Sequence, residues 1–149
     1  MSEIIKSIIL KAIHSCILIT VIFAISSCSF EPSKTKLLAQ AIWKFSDMTS
    51  SSSDSLTLAK LTSSKKFLAG QELRFKVDSS FLSLFPSHAD VNGNSGGKWK
   101  FSADQTKLIM IGNGNESMWD IEKLDEESLA IKHRDLNLNV DFSYHYKKK

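Results

Sequence analysis

From Trp43 onward the apolar residues mostly fall at every second position, the period of a strand with one buried and one wetted face. In "IWKFSD" Trp43 and Phe45 share a face, and "LTLAKL" offers Leu56 and Leu58 after a polar loop over residues 49–55. Downstream of Gly70, "LRFKVDSSF" aligns Leu73, Phe75, Val77 and Phe81, with charged residues between them. "FLSLF" is apolar on both sides and stops at Pro86. Residues 87–97 are a long turn signal, and "KWKFS" then repeats the Trp-x-Phe face with Trp99 and Phe101. "KLIMI" runs into the hairpin-type turn "GNGN", followed by "MWDI" with Trp119 and Ile121 and "SLAIKH" with Leu129 and Ile131. The closing run alternates without a break through Leu136, Leu138, Val140, Phe142, Tyr144 and Tyr146. About eight strands separated by regular turns predict an all-β barrel or sandwich. Only "KLLAQAIW" reads as a helical turn or two, and no long helix competes.

The first 28 residues break this pattern. A head containing Lys6 and Lys11 is followed by "CILITVIFAI", which has no charge, and then by small residues. This is the layout of a secretory signal. A spanning helix needs about 20 predominantly apolar residues, and Lys11 and His14 cut the run short of that. Residues 29–35, with Pro32 and no periodicity, read as a tether.

Composition narrows the function. The 149 residues carry 42% hydrophobic and 23% charged side chains and a formal net charge of +3, ordinary values for one folded domain. The two arginines, Arg74 and Arg134, and a lone basic cluster at Lys147–Lys149 give no stripe for nucleic acid. Cys16 lies inside the signal, so cleavage would leave Cys28 as a single exported thiol without a disulfide partner.

"Ile25-Ser26-Ser27-Cys28" resembles the lipobox of bacterial lipoproteins, in which a branched apolar residue and two small ones precede a cysteine. The resemblance implies a signal peptide over 1–27 and cleavage before Cys28. It also implies lipidation of that thiol, with a diacylglyceryl group and a further acyl chain of the palmitate kind. Several buried chains hold a protein at a membrane far better than one. Ser29 at the next position points to the outer membrane of a Gram-negative envelope. The organisation expected is a signal over 1–27, a lipidated tether over 28–35 and a domain over 36–149.

Candidate chemistry is sparse. His88, His133 and His145 share no ligand spacing with one another or with cysteine. "Lys132-His133-Arg134-Asp135" reads as a strand end, and "Asp125-Glu126-Glu127" as an acidic hairpin tip without calcium-loop grammar. "GNGNES" has amides that could cradle an anion, but no helix is expected after it. No phosphate loop or nucleophile elbow is present. No cofactor and no enzymatic activity are expected.

The order Gly97-x-Trp99-x-Phe101-x-x-Asp104, then Leu108, Trp119, Ile121, Leu129 and Ile131, resembles the lipocalin-like domains of small Bacteroidetes lipoproteins. It implies an up-and-down antiparallel barrel over about residues 36–146. Ala41-Ile42-Trp43 departs from the lipocalin Gly-x-Trp, and the late Arg134 precedes the closing strand. A barrel of about eight strands is filled by side chains or holds one small ligand. The inward aromatics fit a packed core or the wall of a ligand cavity, for which Phe75, Trp99, Trp119, Phe142 and Tyr144 are the candidate contacts. Two functions follow: an anchored carrier of a small apolar or amphiphilic molecule, or an envelope interaction module whose loops bind another protein.

Overall fold

The computed structural model describes residues 32–85 and 95–149. The signal segment, Cys28 and the tether as far as residue 31 lie outside the described residues, as do His88 and most of the 87–97 turn. The domain forms one compact unit, Ser33–Lys149.

Eight antiparallel strands close into a barrel in sequence order, each paired with its chain neighbour and β1 with β8. They are β1 (Ile42–Ser50), β2 (Glu72–Phe75), β3 (Ser80–Leu84) and β4 (Ser95–Phe101), then β5 (Lys107–Gly112), β6 (Asn115–Leu124), β7 (Ser128–Asp135) and β8 (Val140–Lys148). This is the up-and-down barrel that the lipocalin-like resemblance implied, where the alternation alone left barrel and sandwich open. Closure leaves no unpaired edge.

One end is sealed by helix α1 (Lys34–Ala39), whose first turn is capped by the Ser33 hydroxyl. It begins inside the segment expected to be tether, because Lys34 and Thr35 belong to its first turn. Leu37 and Leu38 are buried, and the Leu38 carbonyl accepts from Trp43 Nε1 at 2.9 Å. Around them Trp43, Leu73, Phe75, Trp99, Leu108, Leu129 and Ile131 form the main core. The rings meet edge to face, Phe75 on Trp99 at 5.7 Å and Trp99 on Phe101 at 5.4 Å.

Three segments depart from the alternation. Residues 55–68 form a helix, α2 (Ser55–Leu68), not a strand. Asp54 is its N-cap, accepting from the amides of Leu56 and Thr57 and from the Thr57 hydroxyl. Leu56 and Leu58, which mimic a strand face, are exposed, while Thr57, Leu61, Ser64 and Leu68 at helical spacing are the more covered residues. The loop expected over 49–55 shrinks accordingly, since β1 runs to Ser50 and α2 starts at Ser55.

"LRFKVDSSF" is a hairpin, not one strand. Ser79 takes a positive φ of 64°, Asp78 Oδ1 accepts from the Ser80 amide, and Val77 is left 80% exposed. In the closing run Asp135 Oδ1 accepts from the amides of Asn137 and Leu138, and Asn139 takes φ 55°. These local bonds turn the chain. Strand β8 therefore begins at Val140, with Leu136 exposed in the turn.

The two hairpin tips read from the sequence are present. Asn113 and Gly114 have φ 51° and 78°, the positive pair of a tight hairpin turn. Asp125 caps the β6–β7 tip by accepting from the amides of Glu127 and Ser128. Among the described residues, no helix is long and apolar enough to cross a membrane.

Candidate functional site

The end opposite α1 is a mouth. It is framed by the junction of α2 with β2, the β5–β6 turn, the end of β7 and the start of β8. Strand register decides which side chains look into it, because residues paired across strands share a face. Ser83 pairs with Leu73 and with Ser95, and Ser117 pairs with Met110. Small polar residues therefore take the mouth-side inward positions of β3, β4 and β6. The closed end fills the equivalent positions with Phe75, Trp99 and Leu108.

The result is a cavity of about 280 Å³. Leu73, Phe81, Met110, Ile131 and Trp119 supply its apolar wall, and Leu68 at the end of α2 borders its opening. Gly97 sits where β4 closes on β5. A Cβ there would lie 1.9 Å from the Ile111 carbonyl oxygen, so only glycine lets β4 approach β5 this closely.

A polar chain crosses one side of the cavity. Tyr146 donates from its hydroxyl to Gln71 Oε1 at 3.1 Å, and Gln71 Nε2 donates to Ser83 Oγ at 2.9 Å. Local backbone geometry aims Gln71 inward. Gly70, at φ 84°, ends the α2 segment in a turn, and the Gln71 backbone is bonded on both sides, to Leu68 and to Phe45. Opposite, Ser117 Oγ accepts from Trp119 Nε1 at 3.1 Å. Burial pushes the Tyr146 phenol well above its ordinary value. Burial, with the charge of Asp135 adding to it, raises the Tyr144 phenol.

Helix α2 lies beside the mouth. Leu61 and Leu68 pack on a second, smaller core of Met48, Val140 and Phe142. Lys65 pairs with Asp47 at 2.7 Å, and Lys60 pairs with Asp135, so the helix is tied to both β1 and β7. Hydrogen bonding to Lys60 is the main cause holding the Asp135 carboxyl below its usual range. A more open groove of about 590 Å³ runs from Lys60 past His133, Arg134 and Phe142.

The candidate residues from the sequence are not brought together. Trp119 and Tyr144 line the cavity and stack edge to face at 5.0 Å. Phe75 and Trp99 are buried at the closed end, with Trp99 Nε1 donating to the Lys76 carbonyl at 3.0 Å. Phe142 sits in the smaller core and borders the open groove. Tyr146, inward on the closing strand, joins Trp119 and Tyr144 at the cavity, together with Gln71, Ser83 and Ser117, which the apolar pattern does not single out. Their one signal was a small or polar residue at an inward position, as at Ser83 in "FLSLF".

Polar side chains interrupt the inward face at these serines and at His133. That imidazole shares a face with Phe142 and packs on Trp119 at 4.9 Å. Arg134 pairs with Asp141 at the mouth, whereas Trp43 pairs with Lys148 at the other end. Among the described residues no cluster of three or more His, Cys, Asp or Glu could hold a metal ion.

Comparison with known proteins adds little to this geometry. No family model matches the chain, and no curated protein matches it. Among solved structures, a DUF4847 family protein from Bacteroides vulgatus ATCC 8482 is similar over 78% of this chain and 99% of that one, at 11% identity and a TM-score of 0.49. Any functional reading must therefore come from this chain's own residues.

Proposed function

We propose that this chain is a lipid-anchored envelope protein that holds a small apolar or amphiphilic molecule in the mouth of its barrel, without enzymatic chemistry. The single observation carrying the binding role is the cavity of about 280 Å³, apolar on most of its wall and crossed by the Tyr146–Gln71–Ser83 chain. Small-molecule sites are concave, mostly apolar and carry a few convergent polar groups. The volume lies at the lower edge of their range of about 300–1,000 Å³, which favours a compact ligand. The anchor rests on the signal pattern and Cys28, and outer-membrane placement rests on Ser29.

The second reading is an accessory module that binds another envelope protein. It is favoured by Leu56, Phe67 and Leu136, large apolar side chains exposed on α2 and at the rim. Nucleic acid is not a partner in either reading.

Two measurements test the proposal. Mass spectrometry of the protein from native membranes should find an acylated N-terminus at Cys28. An intact Met1 with a free thiol would remove the anchor. Calorimetric titration of the full chain with octan-1-ol should show binding that Ser117→Phe abolishes. Equal heats in both proteins would place the alcohol elsewhere and favour the module.

A further inference from the structure

We infer that the mouth cavity selects an uncharged ligand whose polar head both donates and accepts a hydrogen bond, such as an amide or an alcohol, and discriminates against a carboxylate. This rests on the cavity being a ligand site and names the class of ligand it takes.

The inference comes from counting the donors and acceptors that the polar chain leaves over. Among the described residues, Tyr146 uses its proton on Gln71 and keeps a lone pair, while Ser83 accepts from Gln71 and keeps its proton. The chain thus offers a ligand one acceptor at Tyr146 and one donor at Ser83. Turning the Gln71 amide over exchanges the two ends and leaves the count unchanged. All three residues are less than a tenth exposed and border the cavity.

Among the described residues, none that lines the cavity carries a formal charge. Glu72, next to Gln71, faces the other side of β2 and is held by Lys149 and Arg74 at 2.7 and 2.9 Å. On α2, Lys60 and Lys65 are each engaged by a carboxylate. A carboxylate in the cavity would be desolvated with no cation among the described lining residues, and the buried polar chain would give its oxygens one donor. Burying such a charge unpaired is costly. A primary amide or an alcohol brings one proton for Tyr146 and one lone pair for Ser83, so neither end is left unsatisfied.

The test is calorimetric titration of the full chain at pH 7.5 with octanamide, octan-1-ol and octanoate, which share a tail length. Octanamide and octan-1-ol should each bind at least about tenfold tighter than octanoate. Lowering the pH to 4, where octanoate is largely protonated, should close most of that gap. Octanoate binding as tightly as the amide at pH 7.5 would overturn the inference and leave the cavity a ligand site. No binding by any of the three would overturn both.

Ser83→Ala removes the free donor and little volume. With its circular dichroism unchanged, it should lose about fivefold or more of the octanamide affinity. Unchanged octanamide affinity in that variant would show that the polar chain does not read the head group.

Discussion

At the closed end of the barrel Trp43, Phe75, Trp99 and Leu108 fill the inward positions; at the mouth Ser83, Ser95, Gly112 and Ser117 leave space. The backbone architecture is the same at both ends, eight paired strands with alternating faces. What differs is side-chain volume. Large rings interlock and exclude water from the lower half, whereas small residues in the upper half create a cavity whose shape the barrel wall maintains. Stability is therefore concentrated below, and the proposed recognition lies above. The three Trp rings also find two classes of partner. Trp43 and Trp99 donate to backbone carbonyls, and Trp119 donates to a side chain at the cavity wall.

If that division is right, matched substitutions at the two ends should behave differently. Trp43→Ala removes a fully buried ring and its bond to Leu38, and should destabilise by about 3–5 kcal/mol in urea denaturation. Trp119→Ala, on a half-buried ring facing the cavity, should cost less than about half of that while weakening octan-1-ol binding. Equal losses would erase the distinction between core and site.

Gly97→Ala probes the seam between the two halves. Its Cβ would collide with the Ile111 carbonyl, and separating β4 from β5 should cost about 1–3 kcal/mol in the same measurement. Tyr146→Phe should cost about 1–3 kcal/mol, because the buried Gln71 Oε1 loses its donor. Tyr144→Phe should be the milder of the pair, since that phenol is only partly covered.

Acid offers a gentler contrast. Hydrogen bonds from Ser102 and Thr106 hold the Asp104 carboxyl at about 2, at the turn between β4 and β5 near the closed end. Because the folded value lies below the unfolded one of about 3.9, this contribution is present above pH 4 and lost as pH falls toward 2. The midpoint of thermal unfolding should fall over that window, and Asp104→Ala should flatten the fall. The smallest effect is expected from Lys60→Ala, which unties α2 from β7 at a pair whose lysine is exposed and should change stability by about 0–1 kcal/mol. Its readout is faster ligand exchange, not a lower melting point.

Much of the barrel was legible because alternation is a local property. A strand in a closed barrel must put every second residue inside, and Trp99–Phe101, Leu129–Ile131 and Phe142–Tyr144–Tyr146 all do. Alternation misled where polar side chains bonded the backbone locally. Leu56 and Leu58 mimic a strand, yet the Asp54 cap and the lysines of the last turn, Lys65 and Lys66, are helix signals present in the same stretch. Val77 and Leu136 continue an apolar series, yet Asp78 and Asp135 turn the chain beneath them.

The site was less legible than the fold. Of the five aromatic candidates, Trp119 and Tyr144 reach the cavity, because height along the barrel axis, not face, separates them from Phe75 and Trp99. Residue pattern by itself determined a domain of strands with one apolar face and set the expectation of a signal over 1–27 ahead of Cys28, since both readings follow from the chemistry of short segments. Only the tertiary structure decided where the barrel is solid and where it is hollow. Register brings Ser83, Ser95, Gly112 and Ser117 from four strands to one level, and the volume left there belongs to no single segment.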